Sequence, residues 1–312
     1  MDRHISITWL GCASVEIRSA NRSIAIDPYL YPDDRPASVI CITHADYDHC
    51  HEPTLRRLVA DPAFELMLAA PACTAMTRLD VPCNPDPSDL SFVPPGRLTT
   101  VFPGLAREPD PRGRGPTEVD LDGWHVEMIE SGERPERYRP DDGTAWPALT
   151  GRFAGDEFPN VGYLVTHTAT GTGFLHPGDL TDAYDALRAL RGRVDYLFFP
   201  TVKLSGLEIT IVDAIRPRHV VPIHYRAASP GFPIPLDVSD DELTTTSVTT
   251  GWPLAGSEPE AFRRDIHRMM RGHWYPTPDP PLERIRSIEP ELQALGAQLL
   301  VLEAGVEHVI DA

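Results

Sequence analysis

The alternation of apolar and polar positions begins at once. Residues 4–10, 14–18 and 23–27 each swing between the two with a period of two, which predicts three short strands. Gly11-Cys12-Ala13 and Ala20-Asn21-Arg22 supply the turns between them. Ser38-Val39-Ile40-Cys41-Ile42 is a short unbroken apolar run and predicts a buried strand. Leu55, Leu58 and Val59 then recur at helical spacing over about 53–59. A strand at 66–70 and a helix at 72–79 follow. Residues 98–102 and 119–129 read as strands, and 161–166 with 172–175 as a hairpin around Ala169-Thr170-Gly171. The remainder alternates: helix 181–190, strand 196–199, helix 207–215, strand 219–223, helices 258–271 and 282–294, strand 298–302, and a turn at Ala304-Gly305. Strands in a run and then strands with helices, twice over, predict two mixed sheets between helical layers, an α/β fold of αββα sandwich type. No repeat of fixed spacing is present. The 312 residues are read as a single domain with loop insertions near 82–117, 130–158 and 228–257. The 130–158 segment, with its arginines and Trp146, has the character of a substrate-covering loop.

Composition narrows the function classes. A hydrophobic content of 41% is ample for a core. The net charge of −18, from 46 acidic against 28 basic residues, argues against nucleic acid and against an anionic membrane surface as partners. A small-molecule substrate is the expected partner, and oligomeric state is not readable. The five cysteines, Cys12, Cys41, Cys50, Cys73 and Cys83, are odd in number and lack CxxC spacing, so a reducing cytoplasm is the expected location. The sequence contains no apolar run of the roughly 18 residues that span a bilayer, and the first residues carry no signal-peptide pattern.

The candidate chemistry sits where the 38–42 strand ends. Thr43-His44-Ala45-Asp46-Tyr47-Asp48-His49 places two histidines and two carboxylates within six residues, at a strand exit where side chains converge. Imidazole and carboxylate together are the ligands of Zn²⁺, Fe or Mn²⁺. Asp179 and His224 also stand at strand ends, so the three segments are expected to meet at one edge of the sandwich.

These residues resemble the metallo-β-lactamase superfamily, in its lactonase-like branch of metal-dependent hydrolases. Trp9-Leu10-Gly11-Cys12-Ala13-Ser14 resembles the opening strand and turn, with Cys12 where a His commonly stands. Ile24-Ala25-Ile26-Asp27-Pro28, His176-Pro177-Gly178-Asp179-Leu180, Val194-Asp195-Tyr196-Leu197 and Val220-Val221-Pro222-Ile223-His224-Tyr225 resemble later motifs in the same order, over about residues 4–226. The family's cluster is His-x-His-x-Asp-His; here Asp46 replaces the second His. The family's isolated mid-chain His is also missing. Glu133 takes its place by counting, with Glu130 as a rival and His125 only after a shift of register.

The resemblance implies two divalent metal ions per chain. One would be held by His44, Asp46 and Glu133, the other by Asp48, His49 and His224, with Asp179 bridging. Four carboxylates and three imidazoles make a hard donor set that favours Fe or Mn, with Zn still acceptable. It implies a hydrolase of a small polar ester, lactone or phosphoester using a metal-bridging hydroxide, with Asp48 and Asp179 catalytic. The alternative is a diiron oxidase or oxygenase acting on a small molecule, because diiron members of the superfamily carry Glu in place of His. A non-catalytic metal-binding member is the third reading. Lys203, Tyr225 and Arg226 follow strand ends and are candidates for holding an anionic substrate group, though such residues are commonly only surface. Asp27 is expected either to orient a ligand or to cap a turn, and His176 either to bond near the site or to serve structure. Cys12 is read as a small buried residue, and Cys50 and His51 as flanking the cluster without ligating.

Overall fold

The computed structural model describes residues 4–20, 22–29, 31–44, 49–71, 73, 90–104, 115–131, 160–180, 185–201, 208–224 and 280–310. The expected helix at 258–271 lies outside them, as does that at 72–79 apart from Cys73.

The first sheet contains β1 (Ile5–Gly11), β2 (Ser14–Ser19), β3 (Arg22–Ile26), β4 (Val39–Ile42), β5 (Leu66–Ala69), β6 (Leu98–Thr100) and β14 (His308–Ile310), in the order β14-β1-β2-β3-β4-β5-β6. The second contains β7 (Glu118–Leu121), β8 (Trp124–Ser131), β9 (Asn160–His167), β10 (Gly173–His176), β11 (Tyr196–Pro200), β12 (His219–Ile223) and β13 (Gln298–Leu299), in the order β13-β12-β11-β10-β9-β8-β7. Each sheet opens as an antiparallel meander and continues as parallel strands: β3 to β6 in one, β10 to β13 in the other. Helix α1 (Glu52–Ala60) packs Leu55, Leu58 and Val59 into the core. Helices α2 (Asp185–Arg188), α3 (Glu208–Ile215), α4 (Pro280–Ser287) and α5 (Glu289–Ala294) are associated with the second sheet. This is the expected αββα sandwich of two mixed sheets.

Side-chain alternation builds the layers. On β9, Val161, Tyr163 and Val165 join Ile5, Ile7, Trp9 and Trp124 in one core cluster. Leu164, between them, instead joins Leu175, Leu197, Phe199, Ile211, Ile215 and Leu292 in a second cluster with the helices. A strand buried on both faces loses its apolar–polar alternation, which is why such strands appear in the sequence as plain apolar runs.

Several boundaries differ from expectation. The predicted strand 119–129 is two strands, β7 and β8, because Asp122-Gly123 forms a tight hairpin turn with Gly123 at φ 79°. The predicted helix 282–294 divides at Ile288, since Pro290 has no N–H to continue the ladder and sits instead in the first turn of α5. Of the predicted helix 181–190, the described part is helical only over α2. Strand 298–302 shortens to Gln298–Leu299. An unforeseen strand, β14, lies beyond the expected turn at Ala304-Gly305 and pairs antiparallel with β1.

The sheets are tied together at one end. Val161 N–H donates to the Thr43 carbonyl (2.9 Å), and the Tyr163 hydroxyl reaches the carbonyls of Ile42 and Leu68 (3.0 Å each). His224 N–H donates to the Cys12 carbonyl (2.8 Å), and His176 Nε2 lies 2.8 Å from the Ala13 carbonyl. That end is where the parallel strands β4, β10 and β12 release their C-termini, the usual place for a site in α/β folds.

Candidate metal centre

Three strand exits meet there. His44 and His49 bracket the segment after β4, Asp179 follows β10, and His224 follows β12. All four side chains are buried. One donor atom from each of His44, His49 and Asp179 falls within a 4.8 Å group, close enough to hold a metal ion. Asp179 divides its two oxygens. Oδ2 lies 3.7 Å from His44 Nε2, while Oδ1 lies 3.4 Å from His49 Nε2 and 3.5 Å from His224 Nε2.

The hydrogen bonds behind the histidines determine which nitrogen faces the cluster. Asp27 is fully buried and accepts from the Thr43 N–H (Oδ1, 2.8 Å) and from the Thr43 hydroxyl (Oδ2, 2.7 Å). It also accepts from His49 Nδ1–H (2.8 Å). The Thr43 hydroxyl has spent its one proton on Asp27, so it accepts from His44 Nδ1–H (2.9 Å). Both imidazoles are therefore protonated at Nδ1 and present Nε2 lone pairs towards Asp179. This is the carboxylate–histidine arrangement that orients metal ligands. Burial alone would raise the Asp27 pKa, but His49, His176 and His44 together hold it below the ordinary carboxylate value. Of the two readings left open for Asp27, the structure selects the orienting one. Thr43 carries no signal of this role in the sequence beyond its position directly before His44.

His176 belongs to the support as well. Its Nε2–H donates to the Ala13 carbonyl (2.8 Å), and its Nδ1 accepts from the Gly178 N–H (3.2 Å). Both nitrogens are used by a neutral ring, and burial holds its pKa below the ordinary value. This bond shapes the Pro177-Gly178 turn that aims Asp179. Gly178 sits at φ 64°, and a Cβ there would come within 3.0 Å of Thr43 Cβ. Three non-glycine residues with positive φ, Cys12 (50°), Asp27 (48°) and His224 (58°), stand at this same edge. Each costs about 1–2 kcal/mol as left-handed backbone, and such strain clusters at functional sites.

The remaining site candidates are distributed as follows. Asp46, Asp48, Glu133, Lys203, Tyr225 and Arg226 lie outside the described residues. His125 is not at the centre: it stands near the start of β8, 2.7 Å from Asp120, in a surface cleft with Glu118, Glu127 and Arg193. The shift of register that would make it a ligand does not occur, because β8 and β9 pair without a bulge from Trp124↔His167 to Ser131↔Asn160. Glu130 alternates with Ser131, whose hydroxyl faces the Gly178 side of the strand end, so Glu130 points to the other face. His51 is buried but turned away, 2.7 Å from Thr54 Oγ1 and edge-on to Tyr29.

The chemistry of the donor set fits a metal: three imidazoles and a carboxylate, buried together, with the tautomers of His44 and His49 fixed from behind. No helix among the described residues is long and apolar enough to cross a membrane.

Comparison with known proteins gives the same assignment from a different direction. No curated protein matches the chain in sequence. Among solved structures, Igni18, a metallo hydrolase from the archaeon Ignicoccus hospitalis, is 14% identical with a TM-score of 0.53, covering 99% of both chains. An isothiocyanate hydrolase from Delia radicum gut bacteria is 13% identical with a TM-score of 0.52, covering 98% of this chain and 100% of that one. CmlA, a diiron beta-hydroxylase from Streptomyces venezuelae, is 14% identical with a TM-score of 0.56; the match covers 99% of this chain but 54% of CmlA. At these identities the likeness is one of fold. A family model described as a beta-lactamase superfamily domain matches residues 6–224, from within β1 to the last of the four clustered side chains. The chain belongs to the metallo-β-lactamase superfamily, whose members are metalloenzymes and for the most part hydrolases.

Proposed function

We propose that the chain is a dinuclear metal-dependent hydrolase of a small polar ester, lactone or phosphoester. The observation that carries this reading is the way Asp179 divides its oxygens. One faces His44 and the other faces His49 and His224, as a carboxylate bridging two ions requires. Asp46 and Glu133 complete the His44 half, and Asp48 completes the half with His49 and His224. Glu130 is the less suitable replacement because it alternates with Ser131 and so faces away from Gly178, which leaves Glu133 as the candidate.

Two divalent ions held there, Fe or Mn by the hardness of the donors, with Zn acceptable, would supply a Lewis acid for the carbonyl or phosphoryl oxygen and would lower the pKa of water. The chain's own residues do the rest. Asp27 and Thr43 hold the imidazoles with their Nε2 atoms forward. Asp48 accepts the proton of the attacking water and delivers it to the leaving group. Lys203, just past the end of β11, and Tyr225, directly after His224, hold an anionic group of the substrate.

A second reading, a diiron oxidase or oxygenase of a small molecule, is favoured by one feature of the sequence: Glu130-Ser131-Gly132-Glu133 carries no histidine where the family has one. The two are separated by turnover of an ester, lactone and phosphoester panel in air and under nitrogen. Metal-dependent hydrolysis at equal rates in both supports the first reading. Absence of hydrolysis, with bound iron whose absorption changes on exposure to air, replaces it with the second.

A further inference from the structure

Cys12 is fully buried at the β1–β2 turn, and the hydrolase mechanism gives it no task. The turn is tied to the metal centre. The Cys12 carbonyl accepts the His224 N–H (2.8 Å) and the Trp9 indole N–H (2.9 Å), so the backbones of the cysteine and the histidine are joined directly. Cys12 Sγ lies 3.9 Å from His224 Nε2, the nitrogen that stands 3.5 Å from Asp179 Oδ1. Asp179 Oδ1 lies in turn 3.4 Å from His49 Nε2. The thiol is therefore the next member of a continuous chain of donors running His49, Asp179, His224, Cys12. Sulfur and imidazole nitrogen on one five-coordinate ion, at bond lengths of about 2.3 and 2.0–2.1 Å, stand about 3.1–3.8 Å apart. The observed separation is within a small side-chain adjustment of that.

We propose that Cys12 is a metal ligand, supplying sulfur to the half-site of His49, Asp179 and His224; this rests on the metal-centre reading above. On coordination the S–H bond gives way to a metal–sulfur bond and the proton passes to solvent, so binding at this half-site strengthens with pH. The consequence is an asymmetric centre. The His44, Asp46 and Glu133 half is hard and suits Mn or Fe. The other half keeps the carboxylates of Asp48 and Asp179 but gains a soft sulfur, which favours Zn, Fe or a probe such as cobalt over Mn.

The test is Co²⁺ loading of the metal-stripped full-length protein. The wild type is expected to show a near-ultraviolet thiolate-to-cobalt charge-transfer band that Cys12→Ser loses while its visible cobalt bands remain. Cys50→Ser, which alters the buried cysteine beside His49, is expected to keep the band. A band that survives Cys12→Ser, or bound cobalt with no such band in the wild type, overturns the proposal and leaves the metal centre standing. Failure to bind cobalt at all overturns both. If Cys12→Ser does not fold, X-ray absorption of the zinc-loaded wild type decides: a sulfur scatterer at about 2.3 Å is expected, and its absence overturns the assignment.

Discussion

At the scale of the residue, the centre depends as much on Asp27 and Thr43 as on the residues that face the metal. A single buried carboxylate collects the Thr43 amide, the Thr43 hydroxyl and the His49 imidazole, and through that hydroxyl it also fixes His44. Replacing it leaves the donors present but unaimed. Asp27→Asn is expected to lower metal affinity about 10–100-fold, in line with the loss of other supporting carboxylates. Isothermal titration against the apo-protein measures this, and an unchanged affinity would remove Asp27 from the account. The pair of positions Asp27 and Thr43 illustrates what a sequence holds and hides. Asp27-Pro28 at a strand end is visible, yet the choice between capping a turn and orienting a ligand depends on a partner, His49, 22 residues away. Thr43 has no readable signal, because its role arises only from a hydroxyl with one proton and two neighbours.

At the scale of the element, the strand ends place the chemistry and the strands themselves hold it still. Tyr163 reaches from β9 across the sandwich to the carbonyls of Ile42 and Leu68, at the ends of β4 and β5. Tyr163→Phe keeps the ring's packing but removes the one hydroxyl proton shared between those carbonyls; Ile42 still accepts the Ala70 N–H, so the expected cost is about 0.5–1.5 kcal/mol. Chemical denaturation at neutral pH reads this; a loss below about 0.5 kcal/mol would show that the contact adds nothing net. The sandwich was legible from sequence because β1 to β4 and β9 to β12 carry strong apolar periodicity and end in recognisable polar motifs. The less legible elements share a cause. β7 and β8 read as one strand because the Asp122-Gly123 turn is only two residues long. Helices α4 and α5 read as one because apolar spacing continues through Ile288, and Pro290 alone interrupts the backbone. β14 is three residues and gains its identity from pairing with β1, some three hundred positions earlier in the chain. The position of His125 depended on strand register, which pairing fixes and local sequence does not.

At the scale of the whole molecule, the buried polar edge makes stability depend on pH in one direction. His176 is neutral and buried with its folded pKa below the ordinary value. As pH falls below about 6.5, the ordinary histidine pKa, the unfolded chain takes up a proton that the folded one does not, and stability declines. Asp27 has a lowered folded pKa as well. Its contribution is intact above the ordinary carboxylate value and is lost as pH drops further, through the folded value. Both slopes have the same sign, so the metal-free protein is expected to lose stability continuously in acid. Melting temperature against pH measures this, and His176→Gln should flatten the portion just below about pH 6.5; an unaltered profile would assign that slope elsewhere. The central claim concerns the two ions that Asp179 would bridge, and the most direct test is metal content. Elemental analysis of the full-length protein, purified without added metal, is expected to give about two ions per chain, falling to one or none in Asp179→Ala. A wild type that carries no metal, or a variant that retains both ions, would contradict the dinuclear centre.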